Sequence, residues 1–228
     1  MTYYLQALCK KPSAALMATL TLCAAMISSG CTSSPRTYFY TLSDAVTPPA
    51  TSVTLPADSA FYIEVLPVEI PAQVARPQLV ITTSPGQADI KEQQRWLAPL
   101  NEEIRYVLST SLAAQLSTVD VYRTPHADNR PVYRVMLNVR RFESALNAQE
   151  GSHTLIAATW SVQAVGLPQQ PTFTTLAESS MTKETITPSY DAIVEGHRHA
   201  IERIAKEIAN AIRTINNNAT QSNRPAKI

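Results

Sequence analysis

Few residues of this chain have the types and spacing that catalysis or metal binding requires. Two of its four histidines, His197 and His199, stand two positions apart in a segment with helical periodicity. Residues two apart on a helix lie about 200° apart around its axis, so these imidazoles are not expected to share a metal ion. His126 falls in a predicted loop and His153 at the start of a predicted strand. We therefore expect structural histidines, with one of the helical pair half-buried and the other in solvent.

Glycines and charged side chains form no recognisable catalytic motif either. The chain has five glycines, and they are too scattered for a phosphate-binding loop or a nucleophile elbow. Glu102 and Glu103 are adjacent, which favours charges at a helix start over an acid–base pair. Arg134 and Arg140 share a predicted strand face, which is either a solvated surface or an anion-binding patch. We expect a protein that is not an enzyme and that needs no metal or cofactor.

Cys31 has the clearest chemical assignment in the sequence. It directly follows the small residues 28–30, an uncharged segment at 13–27 and a positive pair, Lys10 and Lys11. An uncharged segment of this length fits the apolar core of a signal peptide and is shorter than the roughly 20 residues of a membrane-spanning helix. The order resembles the bacterial lipoprotein processing signal, in which the cysteine thiol is acylated before cleavage. Residues 1–30 are therefore predicted to be removed.

The cysteine count supports lipidation of Cys31. Cys9 and Cys23 lie in the predicted signal, so Cys31 is the only cysteine of the expected mature chain. The alternative, an ordinary signal peptide, leaves this thiol without a role, whereas lipidation accounts for it. Two or more acyl chains give stable membrane anchoring. Thr32 stands where an Asp favours inner-membrane retention in enterobacterial-type sorting, so the resemblance implies the periplasmic face of the outer membrane.

Length and charge limit the remaining function classes. Removal of 30 residues from 228 leaves 198, and loss of the two signal lysines changes the formal net charge from +1 to −1. No bulk positive field is therefore present to hold nucleic acid. Residues 31–37 are expected to be the lipid anchor and a short tether, whose six residues after Cys31 reach at most about 20 Å. The polar residues 216–228 predict a disordered tail.

Hydrophobic periodicity predicts a single α+β domain over residues 38–215. Strands are predicted at 38–42, 61–68, 79–83, 90–96, 132–142, 153–165 and 173–183. Two amphipathic helices are predicted, at 99–116 and from Thr187 to Ile215, the second with Thr187 as N-cap and Pro188 at its first position. Strands with one polar face are typical of antiparallel sheets. The expected architecture is a two-layer sandwich: a mainly antiparallel sheet with both helices packed on one face.

Three segments resemble a known protein family. They are Ile63-Glu64-Val65-Leu66-Pro67-Val68, Ala75-Arg76-Pro77-Gln78-Leu79-Val80 and Arg95-Trp96-Leu97-Ala98-Pro99-Leu100. Together with Ala158-Thr159-Trp160, they resemble the ABC-type transport auxiliary lipoproteins that work with MCE proteins, the family of paraquat-inducible protein C. The resemblance covers roughly residues 38–212. It implies an outer-membrane lipoprotein that docks the periplasm-spanning MCE tube and so supports lipid transport and envelope integrity.

The resemblance also indicates where a partner would bind. The expected contact residues, taken from the two most specific segments, are Arg76, Pro77, Gln78, Arg95 and Trp96. From the sequence alone, Trp96 is equally well explained as a side chain that packs at the entry of the first helix. A ring of copies around the tube is a further expectation, since closed rings arise from head-to-tail interfaces.

Two other functions remain as alternatives. The first is a periplasmic carrier that holds a lipid in an apolar cavity between helices and sheet. The second is an envelope hydrolase whose nucleophile and base converge only in the folded chain.

Overall fold

The computed structural model describes residues 34–43, 59–122, 129–147, 151–165, 172–181 and 189–222. These residues form seven strands and two helices, and every predicted element is present. In chain order the elements are β1 (Tyr38–Tyr40), β2 (Tyr62–Val65), β3 (Gln78–Ser84), β4 (Gln87–Trp96), α1 (Leu100–Leu116), β5 (Val132–Asn147), β6 (Gly151–Ala164), β7 (Thr172–Met181) and α2 (Tyr190–Ser222). The predicted signal, Cys31, His126 and the predicted helix start at Thr187 and Pro188 lie outside the described residues.

The seven strands form one mixed sheet. Their order is β1-β4-β3-β5-β6-β7, and β2 also pairs with β5. The ladders β3/β4, β5/β6 and β6/β7 are antiparallel, whereas β1/β4, β2/β5 and β3/β5 are parallel. The predicted α+β class is confirmed. Parallel pairing is more frequent than the alternation of side chains indicated, because β2 and β3 run beside different halves of the same strand, β5.

The core lies between the sheet and the two helices. Alternation along β5 buries Tyr133, Val135, Leu137 and Val139, as the sequence predicted. The largest wholly buried side chains of the helices are Ile104, Leu108 and Leu112 of α1 and Ile193, Ile201, Ile204, Ile208 and Ile212 of α2. Burial of each such side chain contributes about 1.5–3 kcal/mol relative to exposure. The periodic apolar residues therefore hold the helices on the sheet.

A β-bulge at Arg140 lengthens β5 beyond its predicted end at Phe142. Val139 pairs with Ala158 and Arg141 with Ala157, so Arg140 has no opposite residue in β6. One extra residue in a strand shifts the alternation of the residues that follow. Phe142 and Ser144 consequently point into the core, where both are buried. The strand continues to Asn147, which pairs with Gly151 of β6.

Both ends of α2 differ from the prediction. The helix begins at Tyr190, and the backbone N–H of Ala192 donates to Ser189 Oγ at 3.1 Å, so Ser189 caps it. The helix also continues past Ile215 to Ser222, which corrects the predicted disordered tail over residues 216–222. The Tyr133 hydroxyl and Asn216 Oδ1, 3.1 Å apart, tie this extension to β5. Residues 223–228 lie outside the described residues.

Candidate functional site

The two segments that resemble the family most specifically come together in the fold. The backbone N–H of Trp96 donates to the Pro77 carbonyl at 2.7 Å, and Gln78 pairs with Arg95 between β3 and β4. Arg76 precedes this junction directly. The five residues expected to bind a partner therefore lie side by side, although nearly 20 positions separate the segments in the sequence.

An apolar pocket of about 510 Å³ opens at this junction. Its lining residues are Val68, Ile70, 75–77 and 96–101. Valine, isoleucine, leucine, alanine, proline and tryptophan side chains make up most of the wall. Arg76 and Asn101 are its polar exceptions, and no aspartate or glutamate lines it. Pockets of about 300–1,000 Å³ with few polar groups are typical of sites for small molecules.

Trp96 forms a wall of the pocket and belongs to the core. Its side chain is 5% exposed, and its ring meets Phe142 edge-on with centroids 6.3 Å apart. An indole buried to this degree cannot be the exposed anchor of an interface. Of the two explanations that the sequence left open, the structure favours packing. The backbone beyond it enters α1 through Pro99, which offers no side-chain cap.

Arg76 is the charged residue in the lining of the pocket. Its Nε is buried and has no hydrogen-bond partner among the described residues. Leu100 and Asn101, the first two residues of α1, line the same pocket. Their backbone N–H groups precede the first intrahelical hydrogen bonds, and the start of a helix carries a partial positive charge. A guanidinium and a helix N-terminus therefore meet at one apolar pocket.

Beside the pocket, the helix-free face of the sheet carries an exposed patch. Phe39 of β1 pairs with Arg95 of β4, which pairs in turn with Gln78 of β3. The neighbouring Tyr40 contacts the ring of Tyr190 in α2, so Phe39 points to the opposite face. We call Phe39, Gln78 and Arg95 the outer patch. Phe39 is 61% exposed.

Glu103 lies in the first turn of α1, as the sequence predicted, and it also has a structural role that was not predicted. Its side chain is buried, and its Oε2 accepts hydrogen bonds from Thr41 Oγ1 at 2.8 Å and from the Leu42 backbone N–H at 3.0 Å. The carboxylate thus joins the segment after β1 to the first turn of α1. The signal was its position three residues after Leu100 and four before Val107, on the apolar face of the helix.

His197 is wholly buried, more so than the half-buried position that the sequence predicted. Its ring stacks on Phe142 with centroids 3.8 Å apart, and its Nε2 lies 2.8 Å from Ser144 Oγ. Burial, helped by the positive potential of His153, lowers the pKa of His197 from 6.5 to about 3. The imidazole is therefore neutral at physiological pH, and it acts as a core residue.

The two arginines of the predicted strand face, Arg134 and Arg140, lie outside the pocket and the outer patch. Arg134 Nε donates to Glu64 Oε2 at 2.7 Å on the neighbouring strand β2, which favours a solvated ion pair over a free anion patch. Arg140 is exposed at the bulge.

Within the described residues, no three or more His, Cys, Asp and Glu side chains gather closely enough to hold a metal ion. None of the described helices is both long and apolar enough to cross a membrane.

The profile of one protein family, the ABC-type transport auxiliary lipoprotein component, matches residues 40–209. The chain belongs to this family. Proteins of this family are auxiliary components of transport systems, which implies that they have partner proteins. Their lipoprotein character indicates a membrane-anchored position in the cell envelope. No curated protein matches the sequence significantly.

Two solved structures share the fold. A crystal structure of an uncharacterized protein superposes with a TM-score of 0.56 at 18% identity, covering 78% of this chain and 99% of its own. A protein from Xanthomonas campestris gives 0.57 at 15% identity, covering 81% of this chain and 99% of its own. A minor lipoprotein from Acinetobacter baumannii gives 0.35 at 13% identity, covering 68% and 93%. The first two show that the same fold accommodates widely diverged sequences.

Proposed function

We propose that this protein is an auxiliary lipoprotein subunit of an MCE-type lipid transport system, anchored at the periplasmic face of the outer membrane by acyl chains on Cys31. In this role it docks the outer end of the periplasm-spanning tube and supports envelope integrity. The observation that carries the proposal is the family match over residues 40–209, whose most specific segments build one exposed surface feature.

The short tether supports a position close to the membrane. β1 begins at Tyr38 and is a paired strand of the sheet, so few residues remain between the fold and Cys31. The six residues 32–37 reach at most about 20 Å when fully extended. A domain on such a tether stays near the lipid surface, where the outer end of an intermembrane tube would meet it.

We assign docking to the outer patch. An exposed aromatic ring beside an arginine has the composition that interface centres favour over ordinary surface. Arg95 is oriented by Glu92, since its Nε donates to the Glu92 carbonyl at 2.9 Å. Gln78 Nε2 donates to Glu92 Oε2 at 3.1 Å, which fixes its amide as well. The polar members of the patch are thus pre-organised around Phe39.

In this proposal the domain performs no catalysis and uses no metal or cofactor apart from its covalent lipid. Two side chains of types that could take part in catalysis have structural roles instead. Glu103 accepts two hydrogen bonds, and His197 is buried against Phe142. Both side chains therefore stabilise the fold.

Site-specific photo-crosslinking in living cells tests the docking surface. A photoreactive amino acid at Phe39 is expected to capture the MCE protein of the same system. The matched control is Tyr106 on α1, which is 55% exposed and lies outside the outer patch. Equal capture from both positions, or none from Phe39, would contradict the assignment. Capture of a second copy of this chain from Phe39 would instead assign the patch to a homo-oligomeric ring.

A further inference from the structure

The apolar pocket has features that docking does not use. It is bounded by the segment of residues 68–77 on one side and the entry to α1 on the other, next to the outer patch but distinct from it. Its volume of about 510 Å³ exceeds what a single inserted side chain fills, and it lies in the range of small-molecule sites. Leu97 at its rim is 65% exposed. An apolar pocket with such a rim suits an apolar ligand.

The charges around the pocket select the kind of ligand. Arg76 carries the only charged side chain in the lining, and its buried Nε lacks a partner among the described residues. The guanidinium of Arg76 can offer an anionic head group charge-assisted hydrogen bonds, which are stronger than those between neutral groups. The start of α1 adds a second positive feature at Leu100 and Asn101. Of the two acids in that turn, Glu103 is committed to Thr41 and Leu42, and Glu102 does not line the pocket.

We propose that this pocket binds an anionic amphiphile: one fatty-acyl chain lies along the apolar wall, and its negatively charged head group is held by Arg76 and the first turn of α1. A carboxylate and a phosphate meet these donors equally well, so a free fatty acid and a lysophospholipid share the chemistry. The site differs from the cavity between helices and sheet that a carrier was expected to need, because it opens where β3 begins and β4 ends, at the entry to α1. The inference does not depend on the docking function.

Photolabelling of the full-length lipidated protein in phosphatidylcholine vesicles tests the site. Three probes carry the same diazirine in a long acyl chain: a fatty acid, a lysophosphatidylglycerol and an uncharged fatty alcohol. Mass spectrometry then locates the labelled peptides. At least one anionic probe is expected to label the segments 68–77 and 96–101 in preference to the rest of the domain, and the one that does identifies the head group. The alcohol is expected to label them about tenfold less.

Two variants sharpen the result. Arg76→Gln is expected to reduce labelling by the anionic probe at least about tenfold, because it removes the charge that holds the head group. Its matched control, Arg140→Gln, removes an exposed positive charge away from the pocket and should leave labelling unchanged. Leu97→Glu places a negative charge on the exposed rim and should also reduce labelling, which keeps the test decisive if Arg76→Gln fails to fold.

Three results would overturn the proposal. The first is labelling spread evenly over the sheet. The second is equal labelling by the alcohol and the anionic probes, which would show an apolar surface that does not recognise the head group. The third is that neither anionic probe labels the pocket segments. Slower hydrogen exchange of these segments on addition of a protein partner would then assign the pocket to that partner.

Discussion

At the scale of single residues, the polar groups inside the core determine how stability responds to conditions. His197 is the clearest case, because its pKa falls from 6.5 to about 3 on burial. Below pH 6.5 the imidazole of His197 binds a proton in the unfolded chain but stays neutral in the folded chain. The free energy of unfolding should therefore fall as the pH is lowered from about 6.5 towards 3, by up to about 1.4 kcal/mol per pH unit from this group.

The measurement is denaturant unfolding at several pH values for the wild type and for His197→Gln. Glutamine keeps a hydrogen-bonding group near Ser144 Oγ but does not titrate in this range. The difference between the two proteins should be nearly constant above pH 6.5 and should shrink or reverse in acid. An identical pH slope in both proteins would show that His197 does not cause the acid sensitivity.

Glu103 is expected to fasten the segment after β1 to α1. Glu103→Ala should lower the free energy of unfolding by about 1.5–3 kcal/mol, because two donors, Thr41 Oγ1 and the Leu42 N–H, lose a charged acceptor. Hydrogen exchange at the Leu42 amide should accelerate as well. The adjacent Glu102→Ala is the control and should change stability by about 0.5 kcal/mol or less. Equal effects from both substitutions would refute this role.

At the scale of elements, a glycine explains how α2 approaches the sheet. Gly196 lies in the interior of α2, where glycine costs about 1 kcal/mol relative to alanine. A Cβ at this position would stand 2.7 Å from Thr154 Oγ1 of β6, and Thr154 is itself buried. The helix therefore passes β6 at a distance that only glycine permits.

Gly196→Ala is expected to destabilise the protein despite the higher helix propensity of alanine, since overpacking typically costs about 1–3 kcal/mol. A double-mutant cycle with Thr154→Ala isolates the contact. Removing the threonine side chain should recover about 1 kcal/mol or more of the loss as a coupling energy. Strictly additive effects on the free energy of unfolding would mean that the steric account is wrong.

The sequence predicted the elements well where periodicity is regular and less well where single residues interrupt it. The four-residue spacing of Ile104, Leu108 and Leu112 located α1 almost to its ends. The extra residue at Arg140 has no compositional signature, so the length of β5 was underestimated. Ser189 and Thr187 are both good N-cap residues within one short stretch, so composition alone does not choose between them. Both β2 and β3 pair with one edge of β5. This pairing joins strands that are distant in sequence, so the local pattern of residues does not predict it.

At the scale of the whole molecule, the candidate site could be predicted in part. The family-like segments identified Arg76, Pro77 and Arg95, and the fold brought these residues together. The exposed Phe39 was absent from that prediction because it belongs to a third segment, which joins the site only through parallel pairing of β1 with β4. The pocket likewise arises from the packing of separate segments and has no sequence motif. Trp96 was predicted as a contact residue because it lies in a family-like segment, and its burial places it in the core instead.

Stability of the domain should depend strongly on Trp96. Trp96→Ala should lower the free energy of unfolding by about 3–5 kcal/mol, since it removes a buried ring that contacts Phe142. Trp96→Phe retains an aromatic ring and is expected to cost clearly less. Chemical denaturation of both variants measures the difference. A nearly neutral Trp96→Ala would restore the interpretation of this residue as an interface anchor.

The central claim is that a lipid on Cys31 holds this binding domain at a membrane, and the intact mass of the chain purified from the cell envelope tests it most directly. The expected mass is that of a chain beginning at Cys31 and enlarged by covalently attached acyl groups. The Cys31→Ser chain should retain residues 1–30 and carry no acyl groups. An unmodified Cys31 in a chain that still begins at Met1 would contradict the account.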